Sequence, residues 1–219
     1  MDEVVAPALR SLVFSVLAVA IAAVPALPFA VALGLSSTRR SRVLLVLARI
    51  GMAVPTVVVG LLVYALLTRH GPLGRLGLLY SPAAIVIGET LLAFPMLVAL
   101  GAAAVRGLDP RFHDTVRSLG LGRLAAGRLA LRDACDGVIA TVLAAFARCV
   151  TELGVALLVG GNLAGAGLLG STRTMTSTIA TETSRGDFGR ALWLGGVLVA
   201  VAAAVNLATE ALRRPRSPR

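Results

Sequence analysis

Two ionisable side chains, Arg148 and Glu152, stand four residues apart inside an apolar run covering about residues 137–159. On a helix that spacing places them on one face, where opposite charges pair. An isolated charge near the centre of a bilayer costs at least about 2.5–3.5 kcal/mol on insertion scales, and a pair turned into a bundle lowers that cost. Such a pair either locks helices together or lines a path for ions. Glu89 poses the same question in another apolar run, about 10 Å along the helix axis from Pro82, and receives no role. A third group, residues 172–183, is rich in hydroxyls beside Arg173. Hydroxyls and a guanidinium suit transient contact with an oxyanion; Ser and Thr also serve as ordinary helix caps.

Enzyme chemistry finds little footing. His70 and His113 are the only histidines, and the topology below sets them on opposite sides of a membrane. No His-Glu-x-x-His or nucleophile-elbow pattern occurs. Cys135 and Cys149, in or beside one apolar run, exclude a disulfide framework and a four-cysteine zinc site. There is no Gly-rich phosphate loop of the Walker type, so ATP, if used, is bound elsewhere. An intramembrane enzyme is a weak reading. A membrane anchor without cargo is disfavoured by the intramembrane charges. No metal and no cofactor are expected on the chain.

These residues are positioned by elements that only a membrane accommodates. Hydrophobic residues make up 57% of the chain and charged ones 15%, with a mean hydropathy of +0.88. One soluble core cannot hide that surplus, since soluble domains carry about 25% charged residues. Five stretches approach the roughly 20 residues that a bilayer requires: about 12–35, 43–68, 82–105, 137–159 and 189–212. The first is read as a retained helix bent near Pro25 and Pro28, because its leader is acidic and its apolar run too long for a signal peptide. The expectation is an all-α integral membrane protein forming one transmembrane domain over residues 1–219.

The net charge of +10 rests on arginine, for the chain has no lysine. With the N-terminus outside, the inner face holds Arg39, Arg40, Arg42, Arg106, Arg111, Arg117, Arg123, Arg128, Arg132, Arg213, Arg214, Arg216 and Arg219. The outer face keeps Arg10, Arg69, Arg75, Arg173, Arg185 and Arg190. An excess of about two to one favours N-out, C-in. Arg49 lies close enough to the inner face to snorkel. The basic balance thus reads as topology, and no nucleic-acid partner is implied.

The inner loop, about residues 106–136, reads as two short helices joined at glycine. Asp109 is a plausible N-cap with Pro110 at the first helical position. Phe112, Val116 and Leu119 fall on one face, and Gly120 supplies a left-handed terminator. An exposed apolar face of this kind wants either a partner groove or the lipid headgroups.

Here the chain resembles a family. Asp114-Thr115-Val116-Arg117-Ser118-Leu119-Gly120 is similar to the loop that ABC importer permeases insert into their ATPase, a pattern of Glu-Ala-Ala, three residues, then Gly. The proline that family often carries near Arg132 is missing. Val57 to Tyr64 followed by Gly71-Pro72-Leu73-Gly74 resembles tungstate-type permeases, within the molybdate/sulfate-type superfamily. So do Arg148 to Gly154, Val159-Gly160-Gly161-Asn162, Thr172-Arg173, Thr176 to Ala180 and Glu182 to Phe188. Between Asn162 and Thr172 the chain is longer than the family. The resemblance implies a plasma (inner) membrane, multi-pass permease of the type I importer kind. A homodimer would form the pathway, with an ATPase dimer carrying ATP and Mg²⁺ below and a solute-binding protein above. It implies ATPase coupling through Asp109, Phe112, Asp114, Val116, Leu119 and Gly120. It also implies a pathway or gate at Arg148, Glu152, Gly160, Gly161, Asn162, Arg173 and Thr176. The implied cargo is tungstate, with molybdate, sulfate or another anion as the alternative.

Overall fold

The computed structural model describes residues 2–109, 111–165, 167 and 170–212. Pro110 and the arginines of the tail, Arg213, Arg214, Arg216 and Arg219, lie outside the described residues. Ten α-helices and no strands occupy the described chain: α1 (Asp2–Leu35), α2 (Arg39–Ala53), α3 (Thr56–Leu67), α4 (Pro82–Arg106), α5 (Arg111–Ser118), α6 (Arg123–Asp133), α7 (Cys135–Val150), α8 (Gly154–Gly160), α9 (Met175–Ser184) and α10 (Phe188–Leu212). A single 3-10 turn, Gly74–Leu76, interrupts the loop before α4.

Three helices are long and apolar enough to cross a bilayer alone: Val5–Leu35, Pro82–Arg106 and Phe188–Leu207. The other two expected spans are broken. Arg39–Ala53 and Thr56–Leu67 meet at 96°, and Cys135–Val150 and Gly154–Gly160 at 56°. The first break has a local cause. Pro55 lacks an N–H and disfavours helix at the residue before it, and Val54 is extended at φ −62°, ψ 129°. α1 is one helix, as expected of the first span, and runs unbroken through Pro7, Pro25 and Pro28. Its burial along α4 accompanies that continuity.

Small residues set the central packing. Ala22, Ala26 and Ala30 of α1 bury against Leu97 and Ala102 of α4 in one apolar core. A Cβ on Gly34 would sit 2.7 Å from the Val105 Cβ, and one on Gly101 3.1 Å from the Ala30 Cβ. Without a hydrophobic drive between helices in lipid, this close approach is what associates them. The contacts pair early α1 with early α4 and late with late, so the two helices run parallel. α7 returns alongside them, starting where a Gly137 Cβ would lie 2.7 Å from the Ala104 Cβ. α8 continues to the far end, where Val155 and Val159 join Phe14, Val63, Leu67 and Ile85 in a second core.

One end of the bundle therefore gathers the last turns of α1 and α4, the start of α2, and α5 and α6. Arg106 staples it: its Nη2 donates to the carbonyls of Leu33 at 3.3 Å and Ser36 at 3.4 Å and to the Ser41 hydroxyl at 3.3 Å. The opposite end carries residues 69–81, 161–165 and 170–187.

The loop between α4 and α7 forms the two short helices expected. Asp109 Oδ1 accepts from the Arg111 N–H at 2.8 Å, and Gly120 takes φ +59° after α5. The apolar face of α5 turns inward, however. Phe112 is 7% exposed, packed with Val31, Val105, Ala130 and Ala134, and Val116 rests against the same cluster. These two side chains find their groove within their own chain, while Leu119 remains 62% exposed. Amphipathic spacing alone does not distinguish those destinations.

Candidate translocation site at two paired helix breaks

The Arg148–Glu152 pair forms, with Nη1 3.2 Å from Oε2. It does not lie on one continuous helix. α7 ends at Val150, and Glu152 occupies the break before α8. Its other oxygen, Oε1, accepts from the N–H groups of Gly154 at 2.8 Å and Val155 at 3.4 Å, satisfying donors that the start of α8 leaves open. Its main-chain carbonyl accepts from the Thr176 hydroxyl at 2.8 Å, which brings in α9. Glu152 is thus a splint across the break. Its side chain is 2% exposed, whereas Arg148 is 46% exposed.

The two breaks meet. A Cβ on Gly154 would lie 3.1 Å from Thr56 Oγ1 and 3.2 Å from the Val57 nitrogen, so the start of α8 abuts the start of α3. Non-helical backbone at membrane depth is tolerated where protein buries it or where it lines a cavity, and discontinuous helices build the binding sites of many transporters.

The remaining expected pathway residues form a second knot. Gly161 and Asn162 both take positive φ, +67° and +50°, and Tyr80 faces them at +63°. A Gly161 Cβ would sit 2.7 Å from Tyr80 Cδ1, so only glycine fits there. Asn162 Nδ2 donates to the Thr181 hydroxyl at 2.6 Å, and its Oδ1 accepts from the Ser177 hydroxyl at 2.9 Å. Arg173 Nε donates to the Asn162 carbonyl at 3.5 Å. The Thr172 hydroxyl donates to the Gly160 carbonyl at 2.6 Å and accepts from the Leu163 N–H at 2.8 Å. The Thr172 N–H returns to the Leu163 carbonyl at 3.0 Å, so these two residues are paired at the edge of the site. Thr174 and Ser177 cap α9 reciprocally, which accounts for two of the hydroxyls as structure.

α9 joins both knots: Thr176 reaches Glu152, while Arg173, Ser177 and Thr181 reach Asn162. Tyr80 escapes sequence reading, since it acts through a loop contact with no periodicity. Thr172 enters that reading only as one of the hydroxyls and within the resemblance, and Glu182 only within the resemblance. Glu182 pairs with Arg185 at 3.1 Å, a pairing that its spacing of three could have disclosed. On the other side of the wall, Glu89 is 2% exposed, and its Oε2 has no hydrogen-bond partner among the described residues. At the far end of the molecule lie Asp109, Phe112, Asp114, Val116, Leu119 and Gly120, remote from these knots.

A polytopic α-helical protein with broken spans, a buried splint between them and an exposed guanidinium beside it has the anatomy of a membrane transport subunit. Sequence comparison gives the class its family. The chain belongs to the binding-protein-dependent transport system inner membrane components, whose family model matches residues 26–216. A probable anion ABC transporter permease of Haloferax volcanii is 36% identical over 208 residues, covering 95% of this chain and 89% of its own length. A tungstate uptake system permease of Peptoclostridium acidaminophilum is 34% identical over 90% of this chain and 84% of its own length. A tungstate uptake system permease of Campylobacter jejuni is 34% identical over 74% of this chain and 66% of its own length. The chain is accordingly a multi-pass inner-membrane permease subunit of an ABC importer, and ATP hydrolysis and solute capture fall to other components.

Proposed function

We propose that this permease passes tungstate, or a closely related oxyanion, through a pathway beside the paired helix breaks. The observation that carries the reading is Arg148. Its guanidinium is held from behind by a buried carboxylate yet stays 46% exposed, leaving most of its donor fork open to a passing anion. A fully paired arginine would be structural; one anchored at a single nitrogen can exchange partners. Arg173, half-buried and tied only by Nε among the described residues, is the second contact. Gly160, Gly161 and Asn162 shape the exit, and Glu152 with Thr176 fixes its wall. Tungstate as cargo is supported by the two tungstate uptake permeases among the relatives.

Two copies would enclose the pathway, with N-termini outside and a binding protein docking there. An ATPase dimer, loaded with ATP and Mg²⁺, would grip α5 from the cytosol. Phe112 and Val116 tie α5 to the ends of α1 and α4, so displacement of Asp114, Leu119 and Gly120 is transmitted to the bundle instead of being lost in a loose loop.

Reconstitution with the cognate ATPase and binding protein tests this. Arg148→Gln is expected to cut uptake at least about tenfold while ATPase activity persists, the loss of a charge-assisted contact. Unchanged uptake removes Arg148 from the pathway. Asp114→Lys, or Gly120→Pro, which cannot adopt φ +59°, is expected to uncouple hydrolysis from uptake. Calorimetric titration of the binding protein with tungstate, molybdate and sulfate decides the cargo.

A further inference from the structure

A groove of about 790 Å³ opens between the last turns of α1 and the hairpin of α5 and α6. Pockets of about 300–1,000 Å³ hold small organic ligands. Its floor is apolar: Val31 and Phe112 are buried there and Val116 is half-buried. Arg123 and Arg128, both exposed, line it, and among the described residues no aspartate or glutamate does. Neither guanidinium has an ion-pair partner among the described residues. Beside them Leu124 is 84% exposed, a leucine that water does not favour and hydrocarbon does.

The groove lies at the membrane boundary. The apolar stretch Val5–Leu35 has 31 residues, about 46 Å of helix at 1.5 Å per residue, against a hydrocarbon core about 30 Å thick. Ser36, Ser37, Thr38, Arg39 and Arg40 follow at once, so this end of α1 passes from acyl chains to headgroups. The chain's own tail does not suit the groove, for residues 213–219 carry four arginines of the same sign as those lining it.

We propose that this groove is a binding site for one anionic glycerophospholipid, its phosphate held by Arg123 and Arg128 and an acyl chain laid over Val31, Phe112 and Val116. The lipid would fill the space between the hairpin and the bundle and stiffen their connection.

Native mass spectrometry of the full-length chain, titrated with phosphatidylglycerol and phosphatidylcholine of identical acyl chains, tests it. The expected preference for phosphatidylglycerol is about tenfold, from two arginines acting at headgroup depth. Arg123→Gln with Arg128→Gln should abolish it, while Arg69→Gln with Arg75→Gln, at the opposite end, should leave it. Equal binding of both lipids by the wild type, or equal loss in both double variants, overturns the proposal. Gly127→Leu extends into the groove, where its Cβ would lie 3.6 Å from Val31 Cγ1, and should expel the lipid. Retained lipid in that variant, or a dimer that forms without lipid and dissolves in it, overturns the proposal, the latter in favour of a second copy. Leu124→Trp with Trp193→Phe gives a reading at an exposed position: quenching by brominated phosphatidylglycerol but not by brominated phosphatidylcholine is expected, and equal quenching counts against the site.

Discussion

Glu152 and Glu89 are buried to nearly the same degree, 3% and 2% exposed, in neighbouring walls of one bundle, yet their surroundings differ in kind. Glu152 has a guanidinium on one carboxylate oxygen and two main-chain N–H groups on the other. Glu89 has an oxygen without a partner, and the Ser15 hydroxyl nearby is likewise unpartnered among the described residues. The difference teaches that burial alone does not tell what a membrane carboxylate contributes. A satisfied one fastens helices; an unsatisfied one is tolerated at a cost.

Four substitutions break or sharpen that contrast. The largest effect belongs to Glu152→Ala, which strands the Gly154 and Val155 donors and the Arg148 charge together. Apparent stability in detergent should fall by about 2–3 kcal/mol, read as a lowered thermal midpoint. Glu152→Gln keeps an acceptor for the α8 donors and loses only the charge, so about 1 kcal/mol is expected. If the two variants melt alike, the capping bonds contribute nothing and the splint is purely ionic. Next comes the coupling between Arg148→Ala and Glu152→Ala in a double-mutant cycle. Because Arg148 is 46% exposed, water screens the pair, and a coupling of about 0.5–1 kcal/mol should emerge. Strict additivity would mean that the two charges do not act on each other. The smallest change should come from Glu89→Gln, within about 0.5 kcal/mol of wild type or on the stable side, since the removed oxygen had no partner to lose. A loss as large as that of Glu152→Ala would erase the distinction between the two walls.

How much of this was legible beforehand follows the physics of each signal. Hydropathy sums over a window, so a multi-span helical protein was readable, and three of the five apolar stretches form single helices long enough to cross. A window is blind to direction, so the 96° turn before Thr56 was not, although Val54-Pro55 carried a local warning in the missing N–H. The break at Glu152 had no such mark. It exists because a carboxylate four residues from Arg148 also reaches forward to the next helix, a choice made by tertiary contacts. Gly161-Asn162 was reached through resemblance, and its positive φ values show a turn that its composition suits. Phe112 and Val116 were correctly placed on one face of α5, but amphipathic spacing is silent on whether that face meets another protein or its own. Pro25 and Pro28 do not end the helix. The retained helix expected there is present and continuous, because neighbouring walls in a bundle can re-satisfy the freed backbone groups.

The Arg106 staple ties an early turn to a late residue. The Leu33 carbonyl first receives the Ser41 hydroxyl, only eight positions later, at 2.8 Å. Its second donor, Arg106, arrives 73 residues downstream. A chain truncated before the end of α4 would keep the first of these bonds and lack the second. In the folded chain, then, an early turn depends for its full set of donors on a residue much later in the sequence.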